Sequence, residues 1–229
     1  MFLNPTQYKD FLKNMQILLK GRKSVEISIH NSMAELSLFS CDAIIDFSDI
    51  LGADSCFDFV LSNRLLSDLK AIRGNKGVKI VLENNRCLFT ADKTVVYAPR
   101  STVSERSFFE RLTEIVELEP LFSVTLGDEI QNMSKLGKGQ NFIEIIACDK
   151  AVKGFKLETS FISLTEDEIK DKEFVFRSSA PLFFPPAKEY LLKIYCKDVY
   201  LALWEFTHFN CRYNCIEQLD VAPINFGLF

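Results

Sequence analysis

The spacing of apolar residues divides the chain into stretches with helical and with strand-like period. Over Thr6–Leu19, the residues Tyr8, Phe11, Leu12, Met15, Leu18 and Leu19 recur at helical intervals and form one continuous apolar stripe. Pro5 suits the first turn, and Gly21 follows the last as a stop. Alternation then takes over. Val25, Ile27 and Ile29 share one face of a predicted strand, and Leu36 and Leu38 repeat the pattern. Ala43–Ile45 and Phe57–Leu61 give two more strands. A second helix is predicted over Asn63–Arg73, with Leu65, Leu66, Leu69 and Ile72 on its apolar side and Gly74 closing it. Strands follow over Val78–Glu83, Arg86–Thr90 and Thr94–Ala98, the first two joined by the turn-forming pair Asn84-Asn85.

Between Pro99 and Pro120 the pattern lapses into a charged, partly helical connector. The second half then repeats the plan. Phe122–Leu126 reads as a strand and Gly127–Leu136 as a helix with Ile130, Met133 and Leu136 on its apolar side. Further strands are predicted over Asn141–Cys148, Lys153–Glu158, Phe174–Phe176, Tyr190–Tyr195, Val199–Phe206 and Asn210–Glu217. Pro181, Pro185 and Pro186 limit any helix between Phe176 and Tyr190 to about one turn. The segment Phe57–Ser62 has a counterpart in Glu173–Ser178, which suggests two copies of one plan. The expected organisation is an α+β chain of two similar domains, residues 1–100 and 121–229, with residues 101–120 connecting them.

Composition fits a globular protein with a sizeable core: 229 residues, 48% apolar and 25% charged. No apolar run approaches the roughly 20 residues needed to span a bilayer. The opening residues Met1–Pro5 lack the basic and apolar regions of a signal peptide, so a cytoplasmic product is expected. The seven cysteines are odd in number and without pairing pattern, and read as small buried hydrophobes in a reducing compartment.

Net charge is −4, which argues at first against a nucleic-acid partner, but the distribution is uneven. Residues 1–100 carry 13 Lys/Arg against 11 Asp/Glu, and residues 101–229 carry 14 against 20. The first 23 residues hold Lys9, Lys13, Lys20, Arg22 and Lys23 against Asp10 alone. Lys9, Lys13, Gln16 and Lys20 fall at helical spacing on a face other than the apolar one. Lys70, Arg73 and Lys76 lie on or just after the second helix. A lysine stripe on an amphipathic helix is ordinarily its solvated face. Two such helices in an acidic chain also fit sequence-independent contact with phosphates.

Several segments together resemble the DNA sliding clamps of T-even-type phages. They are Phe11-Leu12-Lys13-Asn14, Asp42–Phe47, Lys93–Pro99, Lys188–Tyr195 and Leu201–Trp204. The resemblance runs across nearly the whole chain and is weakest over residues 99–170. It implies a clamp fold with outer antiparallel sheets and inner helices, three subunits closing into a homotrimeric ring. It further implies double-stranded DNA, a DNA polymerase and a clamp-loader ATPase as partners, with no cofactor and no catalysis. The inner-face residues would be Lys9, Lys13, Lys20, Arg22, Lys23, Lys70, Arg73 and Lys76 from the first half, with Lys135, Lys138 and Arg177 from the second. A partner-peptide pocket would be formed by Ile44, Ile45, Phe108, Phe109, Leu112 and Pro223.

Other constellations are weaker. His208, Cys211, Cys215 and Cys196 invite a zinc reading, but alternation puts His208 and the Cys211/Cys215 pair on opposite faces of a strand, so no metal is expected. Gly137-Lys138-Gly139 lacks the remainder of a phosphate-binding loop. With two histidines and no nucleophile motif, catalysis is not expected. The apolar end, with Ile224, Phe226, Leu228 and Phe229, reads either as a tail packed on its own domain or as a docking peptide for a clamp pocket. The alternative to a clamp is a structural or host-interaction phage protein made of duplicated β-rich domains.

Overall fold

In the computed structural model the described residues are 1–72, 76–101, 108–148, 151–165 and 174–221, with backbone alone for 108–111. They form two units. The first gathers Met1–Leu36, Ile44–Phe109 and Thr207–Tyr213; the second gathers Ser37–Ala43, Glu110–Phe206 and Asn214–Phe229. The units are therefore not consecutive stretches of chain: each takes one short piece from within the other's span.

The first unit begins with β1 (Phe2–Leu3) and α1 (Pro5–Leu18). Asn4 caps α1 reciprocally with Gln7, each side chain meeting the other's backbone N–H at 3.0 Å, and Pro5 occupies the first turn. The predicted stripe is the buried one: Tyr8, Phe11, Met15, Leu18 and Leu19 are all core. Next come β2 (Ser24–His30), β3 (Met33–Leu38) and β4 (Cys41–Asp46). A one-turn helix that alternation does not reveal, α2 (Ser48–Leu51), leads to β5 (Phe57–Ser62) and α3 (Asn63–Ala71). The unit closes with β6 (Val78–Leu82), β7 (Arg86–Ala91) and β8 (Thr94–Pro99).

The second unit contains α4 (Phe108–Val116), β9 (Phe122–Leu126), α5 (Asp128–Leu136), β10 (Ile143–Cys148), β11 (Ala151–Lys156) and β12 (Phe161–Ser163). After these come β13 (Phe174–Ser178), a 3₁₀ turn (Ala180–Phe183), β14 (Tyr190–Cys196), β15 (Tyr200–His208) and β16 (Cys211–Val221), the last two lending their hairpin end, Thr207–Tyr213, to the first unit. The 3₁₀ turn stands where a second long helix would, in keeping with its flanking prolines. Leu112 and Ile115 of α4 pack on Tyr195, Leu201, Leu203 and Ile216. The connector region thus contributes a helix to the second unit's core.

The wiring of the two units is the same. Each is a doubled strand–helix–three-strand module in which the first strand of one half pairs with the second strand of the other. In the first unit β1 pairs with β6 and β5 with β2. In the second, β9 pairs with β14 and β13 with β10. All of these pairings are antiparallel.

The structure corrects the register of the internal repeat by one residue. Phe57 and Phe59 stack at 5.9 Å on the core face of β5, and Phe174 and Phe176 stack at the same 5.9 Å on β13. Phe57 therefore corresponds to Phe174, not to Glu173. The correction matters because a slip of one residue moves every side chain of a strand to its other face.

A buried carboxylate fixes the entry to the 3₁₀ turn. Glu217, on β16, accepts from Ser178 Oγ at 2.6 Å, Ser179 N at 2.7 Å, Ser179 Oγ at 3.0 Å and Ala180 N at 3.4 Å. Burial pushes its pKa above the ordinary 4.5, and those bonds offset part of the rise. The folded chain thus binds this proton more tightly than the unfolded chain. The stabilising contribution is full below 4.5 and is lost as pH rises through the elevated folded value. Thermal melts across pH should therefore shift in favour of Glu217→Gln over wild type as pH rises above 4.5. Glu217→Ala, which leaves the four donors unpaired, should cost about 1–3 kcal/mol at every pH.

Candidate nucleic-acid interface

Two helices of the first unit form one cationic surface. Tyr8 Oη, on the buried side of α1, donates to the Leu69 carbonyl of α3 at 2.8 Å, which joins the helices below the surface. Above it, Lys70 Nζ of α3 donates to Gln16 Oε1 of α1 at 2.8 Å. Gln16 belongs to the stripe Lys9–Lys13–Gln16–Lys20, so this bond extends the α1 stripe onto α3. Lys9, Lys20 and Lys70 are exposed. Arg22 and Lys23, in the link after α1, are exposed as well.

Sequence periodicity underrates one member of this surface. Arg64 is exposed in the first turn of α3 with Asp68 one turn on, and its neighbours in sequence gave no reason to single it out. Lys76 is exposed in the turn before β6, while Arg73 lies outside the described residues.

Lys13 is held more closely than the rest. Its ammonium lies 3.6 Å from the centre of the Phe209 ring and 3.9 Å from Asp10 Oδ1. Phe209 and Asn210 are the central residues of the β15–β16 hairpin, both with positive φ (43° and 57°), as tight hairpins of this kind require. Asn210 Nδ2 donates to Asp10 Oδ2 at 2.8 Å. Beneath them Asn14 is fully buried, its Nδ2 donating to the Asp10 carbonyl at 2.9 Å and the Phe209 carbonyl at 3.1 Å. Tyr213 Oη donates to Asn14 Oδ1 at 2.6 Å. Long-range polar contacts of this kind leave no trace in sequence periodicity.

The second unit offers less. Lys135 is exposed on α5 and Lys138 in the turn after it, but Asp128 is exposed on the same helix. Leu136 and Phe183 are 52% and 44% exposed on α5 and the 3₁₀ turn, where a cationic face would need polar groups. Arg177 is not on a helix. It sits on the strand face opposite the Phe174/Phe176 pair, 3.7 Å from Glu144 and over the Phe142 ring at 4.7 Å.

The expected peptide pocket is largely core or undescribed. Ile44 and Ile45 are 1% and 0% exposed, because consecutive residues of β4 face opposite sides and both sides are covered here. Leu112 is packed on the α4 cluster. The side chains of Phe108 and Phe109, together with Pro223, Ile224, Phe226, Leu228 and Phe229, lie outside the described residues. Among the described residues no three metal-ligating side chains come together. Cys211 and Cys215 are buried, Cys196 is exposed, and Cys41 Sγ donates to the Leu38 carbonyl at 2.8 Å.

Solved structures share this architecture. The Proliferating Cellular Nuclear Antigen of Entamoeba histolytica aligns over 93% of this chain and 96% of its own, with a TM-score of 0.60 at 14% identity. The fold is the DNA-clamp fold. The PCNA2–PCNA3 complex of Sulfolobus tokodaii gives 96% and 99% coverage, a TM-score of 0.61 and 12% identity. The Helicobacter pylori beta clamp bound to a DNA ligase peptide gives a TM-score of 0.60 at 12% identity, over 96% of this chain. This chain spans 65% of that bacterial subunit's length. No protein-family model and no curated protein matches the chain.

The polar network under Lys13 has a measurable share in stability. Tyr213→Phe leaves the buried Asn14 oxygen without its donor, and urea unfolding should show a loss of about 1–3 kcal/mol.

Proposed function

We propose that this protein is a non-catalytic sliding clamp of the T-even phage type, three copies of which close around duplex DNA and tether a replicative polymerase. The carrying observation is the cationic surface joined across α1 and α3 by the Lys70–Gln16 bond, on a chain with the clamp fold. Lysines on a helix face attract phosphates, which are the same at every sequence, and this is the kind of hold that permits sliding. The net charge of −4 is compatible with it, since the acidic excess is concentrated after residue 100.

Ring closure is supported by two open strand edges. Among the described residues β8 pairs with β7 alone and β12 with β11 alone. Both edges expose apolar side chains: Tyr97 is 55% exposed on β8 and Phe161 43% on β12. Such edges invite strand pairing, and a head-to-tail contact that closes on itself leaves no edge free. A closed ring needs a loader to open it on DNA without ends, which is the role expected of a partner ATPase. The clamp would work in the cytoplasm of the host cell, without a cofactor.

Light scattering after size exclusion should give three times the 26.2 kDa chain mass, and a monomer at micromolar concentration would count against the ring. On primed DNA with polymerase and loader, the protein should lengthen products. Lys13→Glu and Lys70→Glu should each shorten them and flatten the salt dependence of duplex binding, by about 0.9 in log–log slope for each lost phosphate contact. No change from either substitution would remove DNA from this surface, leaving a structural or host-interaction protein as the better reading. The apolar end is proposed as a competitor for the partner-peptide site. Deleting residues 224–229 should then tighten binding of a polymerase tail peptide, and unchanged or weaker binding would reject this role.

A further inference from the structure

Lys13 differs from the other cations of the α1 stripe. Lys9 and Lys20 extend from exposed positions, whereas the Lys13 ammonium is seated between the Phe209 ring and the Asp10 carboxylate. Asp10 is itself 8% exposed and cannot swing away, because Asn210 Nδ2 holds its other oxygen at 2.8 Å and α1 fixes its backbone. To reach a phosphate, Lys13 must give up part of an ion pair and part of a cation–π contact. A carboxylate beneath the middle of a cationic stripe also lowers the attraction that the stripe exerts on a polyanion.

We propose that Asp10, with Phe209, is a built-in restraint on Lys13 that weakens the hold of this helix face on DNA. This inference rests on reading the α1/α3 surface as the DNA-facing one. Its consequence is a clamp that remains attracted to the duplex without gripping it. The restraint is assembled from two distant parts of the chain, the second turn of α1 and the β15–β16 hairpin, so it depends on the fold and not on local sequence.

The test is a double-mutant cycle on the full-length protein, with affinity for a fluorescently labelled linear duplex measured over a salt series. Asp10→Asn keeps an oxygen for Asn210 to donate to and removes the charge; it should tighten binding about threefold. In a Lys13→Ala background the same substitution should change affinity little, because the restraint has nothing left to act on. Phe209→Leu, at a partly exposed hairpin tip, removes the ring's attraction for the ammonium without opening the core and should tighten binding about twofold. Asp68→Asn on the exposed face of α3 gives the effect of removing a negative charge that seats no lysine.

Equal tightening by Asp10→Asn with and without Lys13 would overturn the proposal, since the effect would then be one of overall charge. So would tightening no greater than that of Asp68→Asn. If Lys13→Ala leaves affinity unchanged even in the Asp10→Asn background, Lys13 does not meet DNA and the restraint fails; if Lys70→Glu is also without effect, the reading of the DNA-facing surface fails with it. Thermal melts of each variant show whether a change in binding reflects lost folding.

Discussion

A fully buried amide in the middle of a helix can persist only if its polar atoms are paired, and this requirement fixes the orientation of α1. Asn14 has no contact with water, yet its nitrogen donates twice and its oxygen receives the Tyr213 hydroxyl. Rotating α1 about its axis by even one position would break these bonds and expose Phe11 and Met15 together. The apolar stripe says roughly which side of α1 faces inward. The amide network determines the angle at which the helix settles, and that angle places Lys9, Lys13, Gln16 and Lys20 on the outer surface. The cationic surface is thus a consequence of how the first unit's core is satisfied.

The same network links the surface to its own moderation. The hairpin residues Phe209 and Asn210 that complete the pairing of Asn14 and Asp10 are also those that seat Lys13. A protein that encircles DNA needs attraction that acts along the whole duplex and is released at each step, and strongly desolvated contacts are poorly suited to it. Exposed lysines in high dielectric, one of them restrained by a carboxylate, give weak contacts that salt screens readily. On the proposed reading, one small group of side chains would set both affinity and mobility.

Much of this architecture was legible in the residue pattern, and the parts that were not share a physical cause. The helix over Thr6–Leu19 and the strands of both halves follow from periodicity, because each has one buried side. The short helix α2 and the three-residue strand β12 were not visible, since four or three residues cannot display a period. Residue types alone align Ser62 with Ser178 and leave the repeat one residue out of register, whereas the buried parity of the phenylalanines aligns Phe57 with Phe174. At the site, Lys9, Lys13, Lys20 and Lys70 were picked out because lysines at helical spacing are a local signal. Arg177, which the repeat aligns with a strand, lies on β13 beside Glu144, away from any helix face. Asp10 and Asn14 lay beyond sequence reasoning, because their partners are about 200 positions away.

The two units share their wiring but not their surface chemistry, and the reason lies in the second module of each. In the first unit Ser62 caps a regular α3, whose exposed side can carry Arg64 and Lys70. In the second, Pro181 in its first turn and Pro185 and Pro186 after it leave only the 3₁₀ turn Ala180–Phe183, too short for a polar stripe. The turn is held instead from below, by the Glu217 carboxylate on its entry and by Ser134 of α5, whose hydroxyl donates to the Leu182 carbonyl at 3.2 Å. Close approach is enforced at Gly137, where a Cβ would meet Leu182 Cδ2 at 2.6 Å and Leu157 Cδ2 at 2.9 Å. The second unit has thus invested this position in packing, leaving Leu136 and Phe183 at the surface. On the proposed reading, a DNA-facing role built on helix lysines would fall mainly to the first unit, because the second has no helix face of this kind to offer.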